Sequence, residues 1–251
     1  MPKFFITNQQ IKQEKIHITG SDVNHIQKVL RAKIGNTLDI GNTDTEENYI
    51  CEIENFQKDE IVCTIKQKIR KQTEPEIKVT VFQGLPKADK MELIIQKSVE
   101  LGVYDIVPVE MKRSVVKLTE KDKSKKQERW QKIAEVAAKQ CGRDRIPRIR
   151  PIQNHQTIIQ EITNYQVVLV AYEKEENHTL RQEIERVKQW QQQNGKNLTI
   201  AIVIGPEGGF AQEEVESLVN YGAKSITLGK RILRTETVAL MMLSVLMYEL
   251  E

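Results

Sequence analysis

Two glycine-bearing turns near the C-terminus hold the residues best suited to chemistry. In the first, the apolar run at 198–204 leads into Gly205-Pro206-Glu207-Gly208-Gly209-Phe210. In the second, Leu228-Gly229-Lys230-Arg231-Ile232-Leu233-Arg234-Thr235-Glu236-Thr237 leads into an apolar helix. Each reads as strand, turn, helix, which leaves backbone N–H and C=O groups free at the carboxyl end of a sheet, where open α/β folds take ligands. Neither turn has the GxxxxGK[ST] or GxGxxG spacing, so neither a triphosphate cradle nor a dinucleotide fingerprint is present. Gly205 would let a ligand approach the strand end, and Pro206 fixes the direction of departure. Gly208 and Gly209 permit positive φ, and Phe210 could wall off an adenine-sized slot. A single GxxGG turn also fits a plain strand-to-helix connection. Two such turns from neighbouring strands frame one crevice, in which backbone groups of Leu228, Gly229, Ile232 and Leu233 could hold an adenine by mimicking base pairing.

Charge sits at the edge of that crevice. Arg234, where the second turn meets the helix, could stabilise an anion developing in a water-poor site. Equally, it could brace the loops against Glu207 or Glu236. Glu236 could serve as a base, or interact favourably with the positive end of the helix.

The elements that position these turns alternate. After a charged, proline-containing stretch at 70–76, strands are expected at 77–82, 104–109, 166–171, 198–204 and 225–228. Helices are expected at 90–101, 122–140, up to 192, 212–221 and up to 250. Such alternation predicts a parallel sheet covered on both faces. Before residue 71 the pattern is mostly β. A strand at 16–18 precedes a helix capped by Ser21 or Asp22 and running to Arg31, then a strand at 37–40. Tyr49, Cys51 and Ile53 alternate with polar residues, as do Ile61, Cys63 and Ile65, predicting a hairpin with one buried face in a small barrel.

The chain of 251 residues is 39% hydrophobic and 29% charged, an ordinary globular balance. Its net charge of +3 excludes a protein basic along its whole length. Residues 110–150 nevertheless carry 14 Lys+Arg against 6 Asp+Glu, while residues 173–217 carry 5 against 9. That asymmetry fits either a polyanion-binding face or a solvated lysine-rich helix. Cys51, Cys63 and Cys141 form no CxxC pair and have no histidine at ligand spacing, so free buried thiols and no metal are expected. The first residues lack the apolar core of a signal peptide, and the longest apolar run, 238–247, is too short to span a bilayer, so a cytoplasmic location is expected. The four histidines are scattered; Trp130 and Trp190 read as packing anchors.

GPEGG and LGKRILRTET together resemble the cofactor site of the SPOUT superfamily of RNA methyltransferases, and most closely its RsmE family. The likeness runs the length of the chain. It includes His25 and Val29-Leu-Arg31, Gly84 in the Phe82-Gln-Gly-Leu turn, and the Lys90-Met-Glu…Gln96-Lys-Ser-Val-Glu-Leu-Gly102 helix. It continues through Glu135 and Gln140-Cys-Gly-Arg143. The resemblance implies methylation of N3 of a uridine in small-subunit ribosomal RNA with S-adenosylmethionine as cofactor. It also implies a PUA-like β-barrel RNA-binding domain at 1–72 and an α/β catalytic domain at 76–251 with a trefoil knot. A homodimer whose active sites are shared between subunits is implied as well; 11 of the 13 residues from 238 to 250 are apolar, as an interface or a core helix requires. The cofactor falls to Ala171, Ile204, Gly205, Pro206, Glu207, Gly208 and Gly209 on one side, and to Leu228, Gly229, Ile232, Leu233, Arg234 and Thr235 on the other. Arg234 and Glu236 are the catalytic candidates. Candidate RNA contacts are Lys3, His25, Arg31, Lys33, Lys112, Arg113 and Arg143. Lys3 stands where the family usually has arginine, which keeps the charge but loses bidentate phosphate contact. A non-catalytic RNA-binding protein, or an enzyme of this superfamily acting on transfer RNA or a ribose hydroxyl, stays open on residue chemistry alone.

Overall fold

Period-two burial builds the first third of the chain. In the computed structural model, which describes residues 3–69, 73–195 and 197–251, six strands form a mixed sheet. They are β1 (Lys3–Ile6), β2 (Ile11–Lys12), β3 (Lys15–Thr19), β4 (Thr37–Asn42), β5 (Asn48–Phe56) and β6 (Glu60–Ile69), in the order β1-β4-β5-β6-β3-β2. Only the β1–β4 pair is parallel. The expected hairpin is β5–β6, and Tyr49, Cys51, Ile53, Ile61 and Cys63 bury one face against Phe4, Ile16, Ile18 and Ile40. Burial pushes the Cys51 and Cys63 thiols up to about 12, so neither is a nucleophile at neutral pH. Cys141, expected to be buried, is exposed.

The early helix differs from expectation. A single α-turn, α1 (Ser21–Asn24), starts at Gly20 without a side-chain cap and passes into a π-helical turn, His25–Val29. Arg31 then adopts a φ of 51°, which ends the helix. Val29, Leu30 and Ile34 are exposed, as are Arg31 and Lys33.

Beyond it the pattern is α/β. Strands β7 (Ile77–Gly84), β8 (Asp105–Glu110), β9 (Arg148–Ile149), β10 (Gln153–Asn154), β11 (Val167–Ala171), β12 (Leu198–Ile204) and β13 (Lys224–Ile226) make a seven-stranded sheet. Its path is β10-β8-β7-β12-β11-β13, with β9 pairing β8, and every pair is parallel. The helices are α2 (Lys90–Glu100), α3 (Glu120–Cys141), α4 (His155–Glu161), α5 (Leu180–Asn194), α6 (Gln212–Asn220) and α7 (Thr235–Leu250). Near-continuous apolar strands such as β12, in which six of seven positions are buried, are what a sheet covered on both faces demands.

The chain divides into two units, residues 1–74 with 138–146 and residues 75–137 with 147–251. The expected linker includes Arg70, Lys71 and Gln72, which lie outside the described residues. The end of the basic helix and the turn after it, Ala138–Ile146, belong to the first unit. A single cut along the sequence does not foresee that return.

Candidate active site

Parallel pairing brings the carboxyl ends of three strands to one edge. Ala171 at the end of β11 is paired with Ile204 of β12 on one side and with Ile226 of β13 on the other. The chain leaves each strand into a turn, and the turns enclose a cavity of about 530 Å³. That size suits a nucleoside-like ligand.

The first turn is closed by Gly209 N–H donating to the Pro206 carbonyl at 2.9 Å. Gly209 has a φ of +67°, as expected, but Gly208 does not lie in the left-handed region. What keeps a side chain from Gly208 is Arg113: a Cβ there would lie 3.1 Å from Arg113 Cβ, and Arg113 donates to the Gly208 carbonyl at 3.1 Å. Phe210 lines the cavity from the core side, edge-on to Tyr172. In the second turn Gly229 has a φ of +108°, and Ile232 is 88% exposed beside the cavity mouth.

A buried hydrogen-bonded chain locks the turns to α7. Thr235 Oγ1 donates to the Gly205 carbonyl at 2.7 Å and accepts from Gln83 Nε2 at 2.8 Å. Gly84, next along β7, has no room for a side chain, because a Cβ would lie 2.6 Å from Pro206 N.

All thirteen cofactor positions expected from the sequence line this cavity, as do Lys90, Tyr172, Glu173, Thr227, Lys230, Arg231 and Val238, which sequence reasoning did not assign to the cofactor. Lys90 matters most among these. Its ammonium lies 3.0 Å from Glu207 and 3.4 Å from Glu236, and the Glu207 hydrogen bond holds it above the ordinary lysine range. Burial raises the Glu207 carboxyl, but its hydrogen bonds from Lys90 and from backbone N–H groups outweigh that and lower it overall. The bracing cation is thus Lys90, not Arg234. Arg234 lines the cavity, is exposed, and makes no ion pair with any described residue. Glu236 faces Lys90 at the start of α7, while the residues lining the cavity itself include Lys90 and Glu207.

The RNA candidates separate in the same way. His25, Arg31 and Lys33 are exposed. Lys3 is not: its side chain is fully buried, its ammonium pairs with Asp144 and bonds Asn48, so it holds its own unit together and offers nothing to a phosphate. Arg143 is 4% exposed, and its guanidinium grips the Glu74 carboxylate through two nitrogens. Its expected RNA contact is corrected to a structural one. Lys112 is exposed but pairs with Glu213, while its backbone N–H donates to the buried Glu214 at 2.8 Å. Arg113, also exposed, supports the first glycine turn through its bond to the Gly208 carbonyl. Arg143→Ala should therefore cost up to about 3 kcal/mol of stability, since it removes the countercharge of Glu74 and leaves it the backbone N–H groups of Asp144 and Arg145. Chemical denaturation would measure that loss, and an unchanged midpoint would contradict the assignment.

A family model for an RNA methyltransferase domain matches residues 73–247, and one for an RNA methyltransferase PUA domain matches residues 18–66. The ribosomal RNA small subunit methyltransferase E of Bacillus subtilis (strain 168) is 38% identical over 254 residues, covering 100% of this chain and 98% of its own. The chain belongs to the RsmE family. Another RsmE, from Mesomycoplasma hyopneumoniae (strain 232), is 35% identical over 97% of this chain and 98% of its own length. A putative methyltransferase from Legionella pneumophila, solved with bound cofactor SAM, superimposes with a TM-score of 0.83 at 28% identity, covering 97% of this chain and 96% of that one. An N-terminal PUA-like domain accompanies the α/β methyltransferase domain.

Proposed function

We propose that this chain binds S-adenosylmethionine in the cavity between its two glycine turns and methylates N3 of a uridine in small-subunit ribosomal RNA. The observation that carries the reading is the cavity itself. Its walls are the ends of β11, β12 and β13, and its glycines stand where backbone must come close. The donor set fits the cofactor: free backbone groups for a purine, an open apolar mouth, and charged groups of both signs. When bound, the cofactor supplies an activated methyl group on a sulfonium leaving group, so alignment is most of the catalysis.

The protein's residues do the rest. The Gln83–Thr235–Gly205 chain fixes the two turns in one register, and the Lys90–Glu207–Glu236 cluster ties α2 to both. Uridine N3 must lose a proton, which leaves negative charge on the ring. Arg234, at the cavity mouth and without an ion pair among the described residues, is the cation we assign to stabilise it. The base must also be unpaired or flipped to reach the cavity. Solvent is the proton acceptor in this scheme.

The same reading extends to assembly. We place the domain boundary at 72–76 and the protein in the cytoplasm; no described helix is long and apolar enough to cross a membrane. The insertion of β12 between β7 and β11, with the first residue of α7 hydrogen-bonded to the turn after β12, supports a knotted chain. The outer face of α7 supports a homodimer: Val238, Met241 and Val245 are partly exposed there and Tyr248 is 88% exposed. Leu243, in contrast, is fully buried and belongs to the core. Tyr248→Glu should give a folded monomer with reduced turnover, whereas Leu243→Asp should unfold the protein by burying an unpaired charge. Light scattering with thermal melts distinguishes these; a monomeric native protein with full activity would rule out the dimer.

For RNA, the exposed Arg31 and Lys33 carry the phosphate contacts. Replacing either with alanine should flatten the log–log salt dependence of RNA affinity by about 0.7. Arg143→Ala should leave that slope alone. The reverse pattern would move the footprint away from the N-terminal domain.

A further inference from the structure

Glu173 leaves the sheet two residues after β11, between the two glycine turns. Tyr172, just before it, donates its N–H to the Ile226 carbonyl at 3.1 Å, which extends the β11–β13 pairing and fixes where Glu173 departs. Glu173 lines the cavity, yet its carboxylate makes no hydrogen bond or ion pair with any described residue, although Lys90, Lys230, Arg231 and Arg234 line the same space. It lies against Gly209. A Cβ at that position would come 2.5 Å from Glu173 Oε1, 3.2 Å from Cδ and 3.4 Å from Oε2. The bare Cα of residue 209 is what lets the carboxylate reach across the first turn.

We propose that Glu173 is a ribose-binding residue, whose carboxylate accepts hydrogen bonds from the two adjacent hydroxyls of the cofactor's ribose. This rests on the cofactor reading above. An ionised carboxylate only accepts, so its partner must be a donor. S-adenosylmethionine offers three kinds: the adenine amino group, the ribose hydroxyls and the α-ammonium. The adenine is served by backbone groups of 228–233 in the turn that follows β13. The ribose is bonded directly to that base, whereas the ammonium lies at the far end of the molecule beyond the sulfur. A carboxylate rooted at the strand beside β13 therefore meets the ribose first. Two neighbouring hydroxyls also match the two acceptor oxygens of one carboxylate, the arrangement by which acidic residues at strand ends hold ribose in other α/β folds.

Calorimetric titration of the whole protein with three ligands tests this. S-adenosylmethionine carries every group, S-adenosylhomocysteine lacks the sulfonium, and 5′-methylthioadenosine keeps base and ribose but lacks the amino acid. Glu173→Ala should weaken all three by a similar factor, about ten- to a hundredfold, and Glu173→Gln by less. Removing the 2′-hydroxyl from 5′-methylthioadenosine should weaken binding to the native protein more than to Glu173→Ala, because the contact is already gone. Thermal melts should be unchanged, since the side chain is exposed. A loss limited to ligands with the amino acid would put the carboxylate on the ammonium, and a loss limited to the sulfonium form would put it at the sulfur. Either result, or no loss, overturns the proposal. Absence of binding by the native protein, visible before any variant is compared, would overturn the cofactor reading and this inference with it.

Discussion

Gly84→Ala should weaken cofactor binding at least about a hundredfold while leaving most of the fold in place. One methyl group does this because of what it meets: Pro206 N at 2.6 Å, Pro206 Cδ at 2.7 Å and the Gly205 carbonyl carbon at 2.9 Å. None of these atoms can swing aside as a flexible side chain would. Gln83 is paired with Ile204 in the β7–β12 ladder, and Gly205 is held by Thr235. Relief must therefore come from moving the first turn into the cavity. Overpacking of this kind costs about 1–3 kcal/mol, which lowers the melting temperature by only several degrees in a domain of this size. The affinity for S-adenosylmethionine should fall by at least about a hundredfold, or about 2.7 kcal/mol. Calorimetry beside a thermal melt checks both; native affinity in the variant would mean the turn does not contact the cofactor.

Arg234→Ala should lower kcat by about a hundred- to a thousandfold, the usual effect of removing one group that stabilises a developing anion. Cofactor affinity should change by only a few-fold, because the backbone of residue 234, as N-cap of α7, keeps its extended conformation without the side chain. Arg234→Lys should recover part of the rate, since charge is kept and the two-pronged contact is lost. Single-turnover rates with saturating cofactor and RNA separate chemistry from binding. An unchanged rate would remove Arg234 from the chemistry, and a parallel loss of cofactor affinity would make it a binding residue.

Much of this architecture was legible because local rules decide it. The run 198–204 is apolar at both alternations, so it had to be a buried parallel strand, and its bounds agree with β12. Of the two glycines expected at positive φ, Gly209 adopts it and Gly208 does not. Other features depend on partners far along the chain. Lys3 reads as a free cation until Asp144, 141 positions away, is folded beside it. Arg143 reads as an RNA contact until Glu74 claims it across 69 positions. Lys90 reads as an ordinary helix start, and only tertiary structure sets it between Glu207 and Glu236. Gly84 carried a family signal, but its physical reason, the approach of Pro206, lies in the turn after β12, far along the chain. Strand β1 and the π-turn at His25–Val29 were missed because neither has a periodic pattern longer than a few residues.

The most direct test of the function is methyl transfer in a defined system. Purified protein is incubated with isotopically labelled S-adenosylmethionine and small ribosomal subunits from cells that lack the gene. The RNA is then digested to nucleosides and resolved by mass spectrometry. The account predicts label in 3-methyluridine at a single position, absent from subunits of normal cells that are already modified, and lost with Arg234→Ala. Label on a ribose hydroxyl, on another base, or nowhere would contradict it.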